Sequence, residues 1–265
     1  MVARWELAGE NGLQGVADGL VRALIAVITV AALVAAPAHA SAAEPEVGCP
    51  ATPYAHVPEA TQPLNLGELK LQFFDYKCFG DYDREVARVL AAAQAYVQQR
   101  AKEVKKPALV LDIDETSLSN WMNIKADDFG FIKGGTCDRL PDGPCGFDEW
   151  ILKFMAPAIK PALNLFNAAT AKGVAVFFIT GRVDRERQAT LWNLDRAGYE
   201  GWAKLITRPD NDTRPSIQPF KAEERSKIAA AGYTIIANVG DQQSDLDGGF
   251  AECPFKVPNP FYFIP

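Results

Sequence analysis

The sequence predicts an α/β protein, a parallel β-sheet with helices on both faces, and three observations lead there. Short apolar runs alternate with amphipathic helical stretches between residues 107 and 241. The helical stretches end on glycine (Gly173, Gly198, Gly232), the residue that most readily takes the left-handed turn closing a helix. The apolar runs show little polar alternation, as expected of strands covered on both faces. Strand–helix–strand repetition of this kind favours a parallel sheet between two layers of helices. A chain of 265 residues, 48% hydrophobic and 23% charged, suits one such domain with additions, or two small domains.

Residues 1–40 are expected to stand outside the fold. The stretch "RALIAVITVAALVAAPAHASAAEP" carries a cation at Arg22, an apolar run from Ala23 to Ala36 and then Ala38-His39-Ala40. That is the charge, apolar core and small-residue cut site of a secretory signal. The run is short for a bilayer span, so its removal is expected to leave a secreted or periplasmic domain over 41–265 with no stable membrane span. Glu6, Glu10 and Asp18 are unusual ahead of such a core and suggest a true start near Val16 or Val21.

After a loose lead (44–63), residues 64–104 read as helical. Val86, Val89, Leu90, Ala93, Val97, Ala101 and Val104 keep the three-to-four spacing of a buried stripe, and Asp81 is a reasonable N-cap. "PALVLDID" (107–114) is the first strand, "KPALNLFNAATAKG" (160–173) a helix, and "VAVFFIT" (174–180) the second strand. "DRERQATLWNLDRAG" (184–198) is helical, "AKLIT" (203–207) a short strand, "FKAEERSKIAAAG" (220–232) a helix and "YTIIANVGD" (233–241) a further buried strand. The exception is 117–150, rich in Gly, Pro, Asp and aromatics and too long for a plain connection. It reads as a lid or specificity insertion. Its Trp121, Phe129, Phe131, Phe147 and Trp150 either form a small core for the lid or offer one or two rings to an aromatic leaving group.

Composition excludes several chemistries. A net charge of −6 does not draw nucleic acid or anionic membrane. Without the leader, His56 is the sole histidine, so a Ser-His-Asp site would depend on it and His-rich metal sites are excluded. No Walker GxxxxGK or GxGxxG occurs, so nucleotide use as an energy source is unsupported. Cys137 and Cys145 flank the Pro/Gly-rich turn "CDRLPDGPC" and are expected to bridge in an exported protein. Cys49, Cys78 and Cys253 could supply one more bridge and one free thiol, with connectivity open.

Ligands of open parallel sheets bind beyond the C-terminal ends of the strands. There the first strand offers Asp112, Asp114, Glu115 and Thr116, the second Thr180-Gly181-Arg182, and the last, in "NVGDQQSDL", Asp241 and Asp245. Lys221 opens the third of the later helices. Carboxylates without His or Cys suit Mg2+, and an ammonium with a hydroxyl beside that metal outlines a phosphate site.

Asp112-Ile113-Asp114-Glu115-Thr116, then Thr180, Lys221, and Asp241 with Asp245, resembles the four motifs of the haloacid dehalogenase (HAD) superfamily. "DIDETSLSN", "FFITGR" and "NVGDQQSDL" are similar to its class B and class C acid phosphatases, a group that takes in plant vegetative storage proteins. The resemblance covers about residues 60–260. It departs from the lipoprotein members, for no cysteine stands where the mature lipid would attach. The resemblance implies a Rossmann-like sheet, with a small cap from the insertion and the N-terminal helices. It implies Asp112 as nucleophile, Asp114 as acid and base, and Thr180 and Lys221 on the phosphoryl oxygens. It implies Mg2+ held by Asp112, the Asp114 backbone carbonyl and Asp241, with Asp245 supporting from behind. The proton needed on Asp114 implies an acidic pH optimum. The implied substrate is a small-molecule phosphomonoester. The same fold would also serve a phosphotransferase or a low-turnover storage or binding protein, although intact Asp112 and Asp114 disfavour a dead site.

Overall fold

The computed structural model describes residues 64–264. The expected leader (1–40), Cys49 and His56 lie outside the described residues. Five parallel strands form one sheet in the order β3-β2-β1-β4-β5. They are β1 (Pro107–Leu111), β2 (Ala175–Val183), β3 (Lys204–Arg208), β4 (Thr234–Gly240) and β5 (Ala251–Lys256). The strand period of two divides the apolar side chains between the faces. Leu109, Leu111, Val176 and Phe178 join the larger core, while Ala108, Val110, Phe177 and Ile179 join the smaller one.

The larger core is closed by α2 (Asp81–Arg100), α5 (Lys160–Thr170) and α6 (Arg187–Arg196), whose Val89, Leu165 and Leu194 are fully buried in it. The smaller is closed by α7 (Gln218–Ala230), through Phe220 and Ile228. Two layers of helices therefore cover the sheet, as the buried character of the strands requires. The chain fills the sheet from β1 outward to β3, then crosses back to place β4 on the other side of β1. This reversal opens a crevice between the ends of β1 and β4, the usual ligand position in such sheets.

Two elements differ from expectation. The stretch 64–104 is two helices, α1 (Leu66–Cys78) and α2, because Gly80 sits at φ 78°, which ends the α-helical path. Gly80 is thus the N-cap of α2, and Asp81 is its first helical residue. An unforeseen fifth strand, β5, pairs along β4. Its "AECPFK" contains Pro254, which lacks a ladder donor, a residue tolerated because β5 is an edge strand. Residues 117–150 contain only two short helices, α3 (Trp121–Ala126) and the start of α4 (Phe147–Leu152). Cys137 and Cys145 are bridged, Cys253 is also disulfide-bonded, and Cys78 is an exposed free thiol. Among the described residues no helix is long and apolar enough to cross a membrane.

Candidate active site

Beyond Leu111 the central strand gives way to a tight turn. The Asp112 N–H still donates to Val239 O of β4 at 3.0 Å, and Ser117 Oγ donates to Asp112 O at 2.6 Å. Glu115 takes a left-handed φ of 52°, and the turn closes through Glu115 N–H to Leu118 O at 2.9 Å. The fully buried Glu115 carboxylate accepts from Tyr82 Oη at 2.8 Å and from the Asn120 N–H. Burial, only partly countered by these bonds, pushes its carboxyl up to about 7. Glu115 therefore braces the turn against α2.

Asp112, Asp241 and Asp245 face one another, with one carboxylate oxygen from each lying within 4.8 Å of the others. Lys221, in the first turns of α7, reaches Asp112 Oδ1 at 2.6 Å and Asp245 Oδ1 at 2.5 Å. All four side chains are buried. If ionised, three carboxylates against one ammonium leave two negative charges uncompensated. Burial, then the neighbouring Asp245, Asp241 and Asp114, push the Asp112 carboxyl well up despite Lys221. Burial and Asp245 push Asp241 up to about 6. Burial alone would lower the Lys221 ammonium, but Asp112 and Asp245 hold it above its ordinary value. A buried all-oxygen cluster with this excess charge fits a hard divalent cation.

Asp245 is presented by α8 (Gln243–Leu246), where Oδ2 accepts the Gln242 N–H at 2.9 Å. A Cβ on Gly240 would collide with the Asp245 side chain, so the bare backbone there allows the fold-back. Asp241 Oδ2 accepts from Gln242 Nε2 at 2.6 Å and Asn259 Nδ2 at 2.7 Å, and Oδ1 from Thr116 Oγ1 at 3.2 Å.

The Asp114 carboxylate is not in this cluster. It faces Arg182, whose Nη2 donates to Oδ1 at 2.7 Å and whose Nε donates to Oδ2 at 3.1 Å; Asn120 Nδ2 donates to Oδ1 at 2.9 Å. Burial works to raise this carboxyl, but the charge and bonds of Arg182, with Asn120, outweigh it and hold Asp114 below the usual range. The side chain of Arg182 is 1% exposed, a buried guanidinium committed to one carboxylate.

A cleft of about 550 Å³ opens over these groups. Asp112, Asp114, Lys221, Asp241 and Asp245 line it. Thr180 does not: it is fully buried, its Oγ1 accepting the Arg182 N–H at 3.1 Å. The bond uses an oxygen lone pair and leaves the hydroxyl proton free to donate. Phe131 and Phe147 from the insertion pair at 5.7 Å and form part of one wall. The C-terminal residues Phe261, Tyr262, Phe263 and Ile264 also line the cleft. Trp150 is 1% exposed and donates through Nε1 to Asn120 Oδ1 at 2.8 Å, so it belongs to the core.

A family model for the HAD superfamily, subfamily IIIB (acid phosphatase), matches residues 45–265. The chain belongs to the HAD subfamily IIIB acid phosphatases. It is 33% identical over 196 residues to acid phosphatase 1 of Solanum lycopersicum, a match covering 72% of each chain. It is 36% identical over 175 residues to the stem 28 kDa glycoprotein of Glycine max, covering 64% of this chain and 66% of that one. The class C acid phosphatase of Bacillus anthracis shares the fold, with a TM-score of 0.56 at 22% identity over 75% of this chain and 86% of that one. A phosphomonoesterase hydrolase is what this membership makes of the chain.

The sequence points to most of this phosphatase's acidic centre but not to its surroundings. Arg182 was visible only as a strand end. A guanidinium two residues after Thr180, on the same strand face, was the available signal, since β2 continues to Val183. Asn120 and Gln242 fall within the stretches "DIDETSLSN" and "NVGDQQSDL" without being singled out there, and Asn259 carries no periodic or compositional mark.

Proposed function

We propose that the chain is an exported, Mg2+-dependent acid phosphatase that hydrolyses small phosphomonoesters through an aspartyl-phosphate on Asp112. The observation that carries this reading is the buried Asp112, Asp241 and Asp245 trio, three carboxyl groups beside the one ammonium of Lys221 that bonds two of them. Asp112, Asp241 and Asp245, with the Asp114 backbone carbonyl, would hold Mg2+. When bound, Mg2+ supplies positive charge that relieves the carboxylate repulsion and favours a phosphoryl group beside Asp112. Lys221, which lines the cleft, would donate to the phosphoryl oxygens, and Thr180, buried beneath it, would need to turn its hydroxyl toward the cleft to join it.

In the first step a carboxylate oxygen of Asp112 attacks phosphorus. The P–O bond to the leaving group breaks as the P–O bond to Asp112 forms. Asp114 gives its proton to the departing alkoxide. In the second, Asp114 takes a proton from water, whose oxygen attacks phosphorus, and the bond to Asp112 breaks. Free Asp114 is held ionised by Arg182, so protonating it needs acid or a weakened pair. An incoming phosphate dianion competes for the guanidinium and loosens its hold on Asp114. The acidic optimum thus rests on the Arg182 pair as well as on the proton itself.

The domain is proposed to span 41–265 after loss of a 1–40 leader, with 117–150 as a lid. The Cys137–Cys145 bridge and the disulfide at Cys253 fit an oxidising compartment. Largely apolar walls (Phe131, Phe147, Phe261, Phe263) favour esters with an aromatic or bulky leaving group. The test is phosphate release from an aryl phosphate before and after exhaustive chelation. Activity should vanish and return with Mg2+; full activity without divalent metal would refute the proposal.

A further inference from the structure

The C-terminal tail is fastened to the loop that carries the metal-facing carboxylates, and the fasteners also touch one of those carboxylates. Asn259 donates through Nδ2 to Asp241 Oδ2 at 2.7 Å and accepts the Phe261 N–H on Oδ1 at 2.9 Å. Gln242 donates through Nε2 to the same Asp241 oxygen at 2.6 Å and to Tyr262 O at 3.4 Å, and accepts the Ile264 N–H on Oε1 at 3.0 Å. A carboxylate can only accept and a backbone N–H can only donate, so the partners fix which end of each amide points where. Ser244 Oγ adds a donor to Ile264 O at 3.1 Å.

The far side of the tail is set by packing. The Phe261 ring is 7% exposed and lies 5.2 Å from Tyr82, 5.4 Å from Trp121 and 6.0 Å from Phe73. Those rings belong to α2, α3 and α1. Phe261, Tyr262, Phe263 and Ile264 then face the same cleft as Asp112 and Asp241. A change in how the tail lies therefore reaches Asp241 through two amide side chains.

We propose that Asn259 and Gln242 are positioning residues that couple the C-terminal wall of the cleft to the metal-facing carboxylate Asp241. Both amides hold the same Asp241 oxygen, Oδ2, while Oδ1 accepts from Thr116 Oγ1, so together they fix how the carboxylate is turned beside Asp112 and Asp245. A leaving group resting on the tail presses on the same two amides, so leaving-group fit and metal affinity are set together. This rests on reading the acidic trio as a divalent-cation site.

The test measures Mn2+ binding to the full metal-free chain by electron paramagnetic resonance, beside steady-state hydrolysis of a bulky and a small phosphomonoester. Asn259→Ala and Gln242→Leu should each weaken Mn2+ by about tenfold or more, the usual effect of removing a partner that orients a metal ligand. Saturating Mg2+ should restore most of kcat, since the reacting groups are untouched. A chain ending at Pro260 keeps Asn259 but loses its Phe261 anchor. It should bind Mn2+ more weakly and show a raised KM on the bulky ester beyond any rise on the small one. Wild-type Mn2+ affinity in both point variants overturns the proposal, as does a shortened chain whose KM changes while its Mn2+ affinity does not. If Asn259→Ala fails to fold, Gln242→Leu and the shortened chain decide. Failure of the wild-type chain itself to bind Mn2+ would instead overturn the reading of the trio, and the proposal with it.

Discussion

Asp112 and Asp114 leave the same strand end two residues apart and meet opposite surroundings. Asp112 shares a buried space with Asp241 and Asp245 and has half of one ammonium to balance it, since Lys221 also serves Asp245. Asp114 faces two nitrogens of one guanidinium, whose third reaches Thr190 Oγ1, and an amide. Burial raises both carboxyls, yet the net shift is upward for Asp112 and downward for Asp114. The first arrangement has a deficit of positive charge that a divalent cation would remove. The second is already neutral, and its guanidinium could exchange the carboxylate for a substrate anion. On the function proposed above, two carboxylates of identical chemistry would thereby be sorted into a nucleophile beside a metal and a proton carrier beside an arginine.

The largest way to break the comparison is to neutralise the acidic side. Asp112→Asn keeps shape but removes the attacking anion, and kcat should fall by on the order of 10³–10⁶. Retention of more than about a tenth of the wild-type rate in a phosphate-release assay would contradict covalent catalysis by Asp112.

Next comes the proton carrier. Asp114→Asn should cost about 10²–10⁴ on alkyl esters, which need their leaving group protonated, and much less on an activated aryl phosphate. Equal losses on both substrates would remove Asp114 from the acid role. Arg182→Gln sharpens the same point. Freed of the guanidinium, Asp114 should hold its proton to higher pH, so the alkaline limb of the kcat/KM profile should move upward even as turnover drops. An unmoved limb would mean that Arg182 does not set the proton affinity of Asp114.

Lys221→Met tests the balance on the acidic side through stability. Loss of the ammonium that bonds two of the three buried carboxylates should cost about 3–5 kcal/mol in metal-free protein. Mg2+ should restore more thermal stability to this variant than to the wild type, read from Tm with and without the ion. Equal gains would argue that the trio does not carry the excess charge assigned to it.

Glu115 gives the smallest effect. Its folded value of about 7 lies above its ordinary 4.5, so the folded protein keeps this proton to higher pH than the unfolded chain. Its contribution to stability is then lost as pH rises from about 4.5 to about 7, by roughly 1–3 kcal/mol. Glu115→Gln, which can still bond Tyr82 and the Asn120 N–H, should flatten that part of the denaturation profile. An unchanged slope would show that Glu115 is ionised throughout.

What the sequence disclosed follows from range. Buried strands announce themselves locally, so β1 to β4 and the acids at their ends were legible from apolar runs of a few residues. β5 was not, because Pro254 and its mixed composition hide a strand that exists by pairing with β4. Gly80 was in plain sight, but a glycine within a strong helical pattern does not by itself declare a break. The partners of the acids were the least legible. Arg182 meets Asp114 from a different strand, and Asn259 meets Asp241 from a tail with no periodicity, contacts that only the folded chain brings about.

The most direct measurement is to trap the intermediate. Wild-type protein with Mg2+ would be mixed with a ³²P-labelled phosphomonoester, quenched in acid during turnover and divided: one portion counted for label on the chain, the other reduced with borohydride, which releases the phosphate and converts an aspartyl-phosphate to homoserine. Acid-stable label on the chain, with homoserine found at position 112 by mass spectrometry and absent from Asp112→Asn, is the result expected here. Steady turnover with no label retained, or with the modified residue at position 114, would contradict the division of roles between the two aspartates.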